Sequence, residues 1–320
     1  GGEVSSSGLP QGAKSEVVLG TPDGLPGVSP QPEFPTLATS TVLLNDGRPI
    51  PLLGYGTYRA QGPLLSAGLT AALDLGYRHL DTAALYQNEG LVGEALRRQS
   101  GLERDEVFVT TKLWCADHGT VNTERAIARS LAKLGVDSVD LYLMHAPRNQ
   151  GKTPEETREL RRQSWRVMEE RHRAGVLRSI GVSNFNERQL RELLGYATVV
   201  PAVNQFEFHP YLQQPELVRY CKDQGILVEA YGVMGAKGVL DDPTVRRIAQ
   251  KHGRTPAQVL LRHALQATGG VVLAKSTTPA RIAENAPQKV LSFELDERDI
   301  NQLRALDRGE RYYWDNSRVP

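Results

Sequence analysis

The chain has 320 residues, with 38 Lys and Arg against 37 Asp and Glu, a formal net charge of +1 and 40% hydrophobic residues. This balance lacks the clustered basic surplus with which nucleic-acid-binding proteins contact phosphates, so we expect no nucleic-acid partner. With only two cysteines, the chain has no disulfide framework to expect, which favours the reducing cytoplasm. No apolar run approaches the roughly 18 residues of a membrane-spanning helix, so we expect no membrane partner.

The N-terminal part of the chain differs in composition from the rest. Residues 1–40 contain seven Gly and six Pro, whereas the remaining residues contain 23 Gly and 13 Pro. A segment with so little apolar surface cannot offset the entropy lost on ordering. We therefore predict a flexible extension over residues 1–38 and a single folded domain over residues 39–320.

A short hairpin is predicted at the start of this domain. Residues 41–50 read as two strands around Asp46-Gly47, a dipeptide that favours the type I′ turn of two-residue hairpins. We expect the hairpin to close the bottom of the fold.

Eight apolar or β-branched runs follow, separated by segments of helical period. The predicted strands are 53–56, 79–81, 107–112, 139–145, 179–183, 202–205, 227–231 and 271–275. This alternation predicts a (β/α)8 TIM barrel, an α/β fold. An open doubly wound sheet is the alternative, but the first turn, GYGTYR at 54–59, lacks its Gly-x-Gly-x-x-Gly fingerprint.

Helix starts support the alternation. Residues 153–156 (TPEE) and 255–258 (TPAQ) predict capping boxes with proline at the first helical position. Asp242-Pro243 predicts another start, and Gly253 its end.

Polar side chains stand where three successive strands end. Asp81, Lys112 and His145 end the second, third and fourth strands, and Tyr86 lies on the loop after the second. Each alone has an ordinary explanation, such as a helix cap for the aspartate, a solvated lysine or a hydrogen-bonded core histidine. Together they meet at the face of the barrel that carries active sites.

This set has a coherent chemical use. A tyrosine can protonate a carbonyl oxygen if a neighbouring ammonium lowers the pKa of its phenol, here Lys112 beside Tyr86. Asp81 would keep Lys112 charged and oriented, and His145 would donate a hydrogen bond to the substrate oxygen.

A second cluster lies near the end of the chain. Thr278-Pro279 predicts a helix start, which places Ser276 and Thr277 just before it and Arg281 in its first turn. Free N–H groups at a helix N-terminus attract anions, and Lys275 adds a cation. The cluster therefore predicts a phosphate site, the alternative being a solvated lysine and arginine on an ordinary helix.

Three segments together resemble the aldo-keto reductase family, and the likeness extends over about residues 41–308. They are 76–89 (GYRHLDTAALYQNE), 107–114 (VFVTTKLW) and 273–285 (LAKSTTPARIAEN). The resemblance implies NADPH-dependent carbonyl reduction, with Asp81, Tyr86, Lys112 and His145 as catalytic tetrad and Tyr86 as proton donor.

The resemblance also implies the contacts of NADPH or NADP+, and it implies no metal. At the nicotinamide it implies Thr57, Ser183, Asn184, Gln205 and Tyr231, although Tyr231 as an ordinary core aromatic is an alternative. At the adenosine 2′-phosphate it implies Lys275, Ser276, Thr278 and Arg281, and at the adenine Glu284 and Asn285. Thr277 is a further expected cofactor contact.

The sequence departs from the family pattern beside the site. Ala146 follows His145 where the family often has tryptophan, and Gly232 follows Tyr231 where it often has serine. The chain also lacks a long C-terminal loop after Arg308. We expect an open substrate pocket lined by Tyr58, Trp114, Ala146 and Trp314, the alternative for Trp314 being packing on the barrel wall.

The sequence thus predicts a monomeric oxidoreductase that reduces small-molecule aldehydes and reactive ketones. One alternative is an NADPH-binding regulatory or scaffolding subunit with little turnover. A phosphate-binding barrel isomerase or aldolase would fit the fold and the lysine, but not Tyr86 beside Lys112 or the segment 273–285.

Overall fold

The computed structural model describes residues 40–320, so the predicted extension 1–38 lies outside the described range. In that range ten strands were found: β1 Thr41–Leu43, β2 Pro49–Pro51, β3 Leu53–Gly56, β4 His79–Asp81, β5 Phe108–Leu113, β6 Val139–Met144, β7 Leu177–Ser183, β8 Val203–Glu207, β9 Leu227–Tyr231 and β10 Val271–Ala274. The α-helices of the same range are α1 Gly62–Asp74, α2 Glu89–Arg98, α3 Thr120–Leu134, α4 Pro154–Arg173, α5 Glu187–Leu194, α6 Pro215–Asp223, α7 Pro243–His252, α8 Pro256–Thr268, α9 Pro279–Glu284, α10 Pro287–Val290 and α11 Glu297–Arg304.

Strands β3 to β10 form a closed barrel in chain order, and β10 pairs with β3 to close it. All of these pairs are parallel. The predicted TIM barrel is therefore confirmed. The bounds of β3, β4 and β9 are as predicted, and those of the other barrel strands differ by one or two residues. Strand β7, for example, begins at Leu177 because that residue pairs with Val139 of β6.

The helix starts follow the predicted chemistry with one exception. Thr255 and Gln258 form the reciprocal capping box at α8, and the Asp242 side chain accepts from the Thr244 N–H at α7. At α4 the Thr153 side chain accepts from the Glu156 N–H, but the Glu156 carboxylate accepts from Lys152 instead of Thr153. The predicted capping box is therefore absent at α4, which has the Thr153 cap and a hydrogen bond from the Lys152 N–H to Glu156.

Strands β1 and β2 form the predicted hairpin, but its turn is not type I′. The Gly47 N–H donates to the Leu44 carbonyl, so Asn45 and Asp46 are the central residues, and only Gly47 has a positive φ, +82°. Type I′ needs positive φ at both central residues. The strands are instead joined by a longer loop, in which glycine takes the left-handed position after the turn.

The hairpin covers the lower end of the barrel with apolar side chains. Leu44 and Ile50 are buried in one cluster with interior residues such as Phe108, Leu141 and Val271. This leaves the opposite end, where the strands terminate, for the polar side chains. Among residues 40–320, no helix has the length and apolarity needed to cross a bilayer.

Candidate active site

Four polar side chains meet at the C-terminal end of the barrel. Lys112 Nζ donates to Asp81 Oδ1 at 2.6 Å, to the Thr82 carbonyl at 2.9 Å and to Tyr86 Oη at 3.3 Å. These bonds use all three donors of the ammonium. The Lys112 side chain is fully buried, so its position is fixed by Asp81 on one side and Tyr86 on the other.

A loop anchored by Asn88 holds Tyr86 in this position. Tyr86 ends a 3₁₀ turn, and Gln87 leaves it with a left-handed φ of +55°. The Asn88 amide donates to the Thr57 and Ala60 carbonyls at 2.9 and 3.0 Å, and its oxygen accepts from Thr82 Oγ1 at 2.6 Å. Asn88 was not predicted, although it lies inside the segment 76–89, because its partners are brought near only by the fold.

The structure corrects the expected effect of Lys112 on Tyr86. Burial, and next to it the Asp81 carboxylate, raise the pKa of the Tyr86 phenol well above its ordinary value. Asp81 at 2.6 Å already balances the ammonium charge, so desolvation dominates. Tyr86 is therefore held as a protonated hydroxyl that accepts a 3.3 Å hydrogen bond from Lys112 Nζ.

His145 is neutral in this site. Burial, and next to it the Lys112 charge, hold the pKa of the His145 imidazole well below its usual range. Its ring lies 5.6 Å from the Tyr86 ring between centroids, and its Nδ1 has no hydrogen-bond partner among residues 40–320. A neutral imidazole can still donate one hydrogen bond to an oxygen bound beside Tyr86.

A cavity of about 640 Å³ runs from these residues toward α9. Sixteen of the twenty predicted site residues line it: Tyr58, Asp81, Tyr86, His145, Ser183, Asn184, Gln205, Tyr231, Lys275, Ser276, Thr277, Thr278, Arg281, Glu284, Asn285 and Trp314. The predicted tetrad and the predicted phosphate cluster thus lie at one continuous cavity.

The middle of the cavity carries a hydrogen-bonded group of side chains. Asn184 has a left-handed φ of +62°, and its amide donates to the His145 carbonyl at 2.9 Å. Tyr231 Oη donates to Asn184 Oδ1 at 2.6 Å, and Gln205 Nε2 donates to Asp81 Oδ2 at 2.9 Å. These bonds fix the wall between the tetrad and the far end.

The far end carries cations that have no carboxylate partner. Neither Lys275 nor Arg281 forms a salt bridge within the described part of the chain, and both side chains are exposed. Helix α9 begins at Pro279 as predicted, but it has only six residues. The anion attraction predicted here therefore rests mainly on the two cations and the nearby hydroxyls, because so short a helix has a weak dipole.

The structure does not bring four predicted residues to the cavity wall. Lys112 lies directly behind Asp81 and Tyr86. The Thr57 hydroxyl is buried and donates to the Asp81 carbonyl, and Trp114 stands behind His145 at 5.4 Å between ring centroids. Ala146 is fully buried in the barrel wall.

One wall of the cavity comes from the C-terminal segment. The Trp314 ring of this segment packs at a tilt against His145 and Trp114, at 4.9 Å and 5.8 Å between ring centroids. The short C-terminal segment thus supplies an aromatic wall beside His145, whereas Ala146 is buried and does not line the cavity.

Two features of this wall were missed at the level of sequence. Tyr313 lines the cavity and lies so close to Gly232 that a Cβ there would be 2.7 Å from Tyr313 Cε2. Gly232 also has a left-handed φ of +71°. The replacement of serine by glycine at position 232, noted above as a departure, makes room for the Tyr313 ring.

The second missed feature is the anchor of the C-terminal segment. Glu207, at the end of β8, is fully buried and accepts from the N–H groups of Tyr312 and Tyr313 at 2.8 and 3.1 Å. His209 Nε2 lies 2.8 Å from the same carboxylate. Glu207 thereby holds the residues that precede Trp314 against the barrel.

Replacing Glu207 with glutamine should loosen this segment. The substitution removes one acceptor oxygen and turns an amide donor toward a backbone N–H, which costs about 1–3 kcal/mol of stability. We expect a lower free energy of unfolding and faster hydrogen exchange at the Tyr313 amide. E216Q, at an exposed site on α6, is the control; unchanged exchange in E207Q would contradict the anchor.

Comparison with known proteins adds to this geometry. The Aldo/keto reductase family model matches residues 53–308. An aldo-keto reductase of Mycobacterium sp. (strain MCS) is 43% identical over 273 residues, which cover 85% of this chain and 92% of that protein. The glyoxal reductase of Bacillus subtilis (strain 168) is 41% identical over 279 residues, which cover 87% of this chain and 96% of that protein.

A solved structure is similar along the whole barrel. It is the crystal structure of an aldo-keto reductase enzyme from a Medee basin deep-sea metagenome library, with 38% sequence identity and a TM-score of 0.81. The match covers 87% of this chain and 99% of that one. The likeness therefore holds in both sequence and three-dimensional structure.

Proposed function

This chain belongs to the aldo/keto reductase family, whose members are oxidoreductases acting on aldehydes and ketones, and we propose that it uses NADPH with Tyr86 as proton donor. The observation that carries the proposal is the 3.3 Å contact between Lys112 Nζ and Tyr86 Oη at one end of the cavity. A phenol in that contact can give up its proton because the ammonium stabilises the phenolate.

Each residue of the tetrad has one task in this proposal. Tyr86 donates its proton to the substrate oxygen, and Lys112 stabilises the resulting phenolate. Asp81 holds Lys112 in place through the 2.6 Å ion pair. His145, neutral in its buried setting, donates a hydrogen bond that orients the carbonyl and stabilises charge on its oxygen.

The side chains that line the cavity suit NADPH, with polar groups for the nicotinamide at one end and cations for a phosphate at the other. When bound, NADPH supplies the hydride. Asn184, Gln205 and Tyr231 lie where they can hold the reactive end of the cofactor, and Lys275 and Arg281 can hold a phosphate at the other end. The lack of carboxylate partners for these two cations, in the part of the chain that the structure describes, supports an anionic ligand there.

The substrate end of the cavity favours flat, neutral carbonyl compounds. Its wall near Tyr86 is formed by Tyr58, His145, Tyr313 and Trp314. Aromatic rings contribute large apolar contacts with few polar demands. We therefore propose aromatic aldehydes and small dicarbonyls as the substrate class.

Steady-state kinetics tests the proposed function directly. The purified chain should oxidise NADPH when it is given an aromatic aldehyde or a dicarbonyl such as glyoxal, measured by loss of nicotinamide absorbance. A cofactor that binds but is barely consumed across such a panel would instead indicate a regulatory or scaffolding subunit. The monomeric state and the cytoplasmic location are proposed with this function; sedimentation and cell fractionation test them.

A further inference from the structure

A second buried carboxyl group lies inside the barrel near the tetrad. Glu229 on β9 is fully buried, and neither of its carboxyl oxygens has a hydrogen-bond partner among residues 40–320. His79 Nε2 is 3.6 Å from Glu229 Oε1 and 3.0 Å from Thr110 Oγ1. Gly54 makes room for this arrangement, since a Cβ there would be 2.8 Å from His79 Nδ1.

Glu229 is connected to the catalytic ion pair through the neighbouring strand. Gln205 of β8 is paired in register with Glu229, and its amide donates to Asp81 Oδ2 at 2.9 Å. The other oxygen of Asp81 accepts from Lys112 at 2.6 Å. Two buried carboxyl groups thus share the field of one ammonium.

The groups that face Glu229 offer it no second positive charge. They are His79 and Asp81 on β4, Thr110 and Lys112 on β5, Gln205 on β8 and, near the rim, Tyr86. Burial, and next to it the Lys112 charge, lower the pKa of His79 to about 3, so that ring is neutral near pH 7. On the other neighbouring strand, the register partner of Glu229 is the apolar Val271.

We propose that Glu229 is a positioning residue that carries a proton at neutral pH, so that Tyr86 faces a neutral Asp81–Lys112 pair. An ionised Glu229 would be a buried carboxylate with no cation of its own, since Lys112 is paired with Asp81 and His79 is neutral, and such a charge is strongly disfavoured. It would also place a second negative charge near Tyr86, and that charge would oppose formation of the phenolate.

The electrostatics agree with the geometry. Burial, and next to it the Asp81 carboxylate, raise the pKa of Glu229 to about 8, while Gln205 and Lys112 act in the opposite direction. In the unfolded chain the same group ionises near 4.5. Between these two values the unfolded state binds fewer protons than the folded state, so stability falls as pH rises through this window.

Equilibrium unfolding of the purified chain, without added cofactor, tests the protonation. From about pH 5 to 8 the unfolding constant of the wild type should rise about tenfold per pH unit relative to that of Glu229→Gln, which has no proton to lose. Glu216→Gln, an exposed site on α6, is the matched control and should parallel the wild type. Parallel curves for E229Q and the wild type would overturn the proposal.

The wild type itself provides a second measurement should E229Q not fold. A protonated buried carboxyl gives an infrared C=O band that should vanish around pH 8. A folded protein with no such band at pH 6 would overturn the proposal.

The effect on catalysis rests on the proposed function and is measured separately. In the wild type, kcat/KM for carbonyl reduction should fall as pH rises through about 8, and in E229Q this fall should move upward by at least one pH unit. An unmoved fall would overturn the positioning role. Absence of turnover in every variant would contradict the proposed function instead, and the unfolding curves would still decide the protonation of Glu229.

Discussion

Tyr86→Phe should lower kcat for carbonyl reduction by about 10²–10⁴-fold, the usual contribution of a general acid. The substitution removes only Oη, the atom 3.3 Å from Lys112 Nζ. The ring keeps its neighbours, Tyr58 at 5.2 Å and His145 at 5.6 Å between centroids. The cavity should therefore keep its shape, and the Kd for NADPH should change little.

The experiment compares kcat from NADPH oxidation with Kd from cofactor fluorescence. Tyr142→Phe is the matched control, because it removes another buried phenol hydroxyl, one that has no hydrogen bond among residues 40–320. That variant should turn over like the wild type. If Y86F retained most of its turnover, the proton would have to come from another group, and the acid role given to Tyr86 would be wrong.

NADPH should bind at least about tenfold more tightly than NADH, a difference of about 1.4 kcal/mol or more. Lys275 and Arg281 face the same end of the cavity without carboxylate partners in the described chain. Two cations facing a phosphate dianion gain charge-assisted hydrogen bonds that a ribose hydroxyl cannot provide. Arg281→Ala should weaken NADPH binding by about tenfold or more and leave NADH nearly unchanged.

Direct titration of both cofactors at fixed ionic strength checks this prediction, because exposed charges are screened by salt. Lys289→Ala is a suitable control: it removes an exposed positive charge on the nearby helix α10, so it separates local contact from general attraction. Equal Kd values of the wild type for NADPH and NADH would refute the assignment of this end of the cavity to a phosphate.

The parts of the molecule that follow local rules were predictable from sequence. The barrel strands show as apolar runs, and Asp81, Lys112 and His145 stand at their ends or directly after them, so their meeting at one rim follows from the parallel topology. Helix α8 begins where a threonine cap and a proline coincide.

Features that depend on distant contacts were not predictable in this way. The Tyr312 N–H reaches a carboxylate 105 residues earlier in the chain, at Glu207, and no local pattern marks that pair. In the sequence Glu229 is an ordinary strand residue, because only the fold brings His79, Gln205 and Asp81 close to it. The sequence predicts a lower pKa for Tyr86, because it indicates the cationic neighbour but not how strongly burial opposes its effect.

Because of the C-terminal anchor at Glu207, the aromatic wall of the cavity and the residues around Tyr86 belong to separate parts of the chain. Tyr86, the proposed proton donor, and its partners stand on or beside barrel strands, whereas Tyr313 and Trp314 belong to a terminal segment held by backbone N–H groups. Because a backbone N–H is the same for almost every residue type, mutations at 313 and 314 can alter the aromatic wall without releasing the anchor. The shape of this part of the cavity can therefore vary while the groups at the barrel rim stay in place.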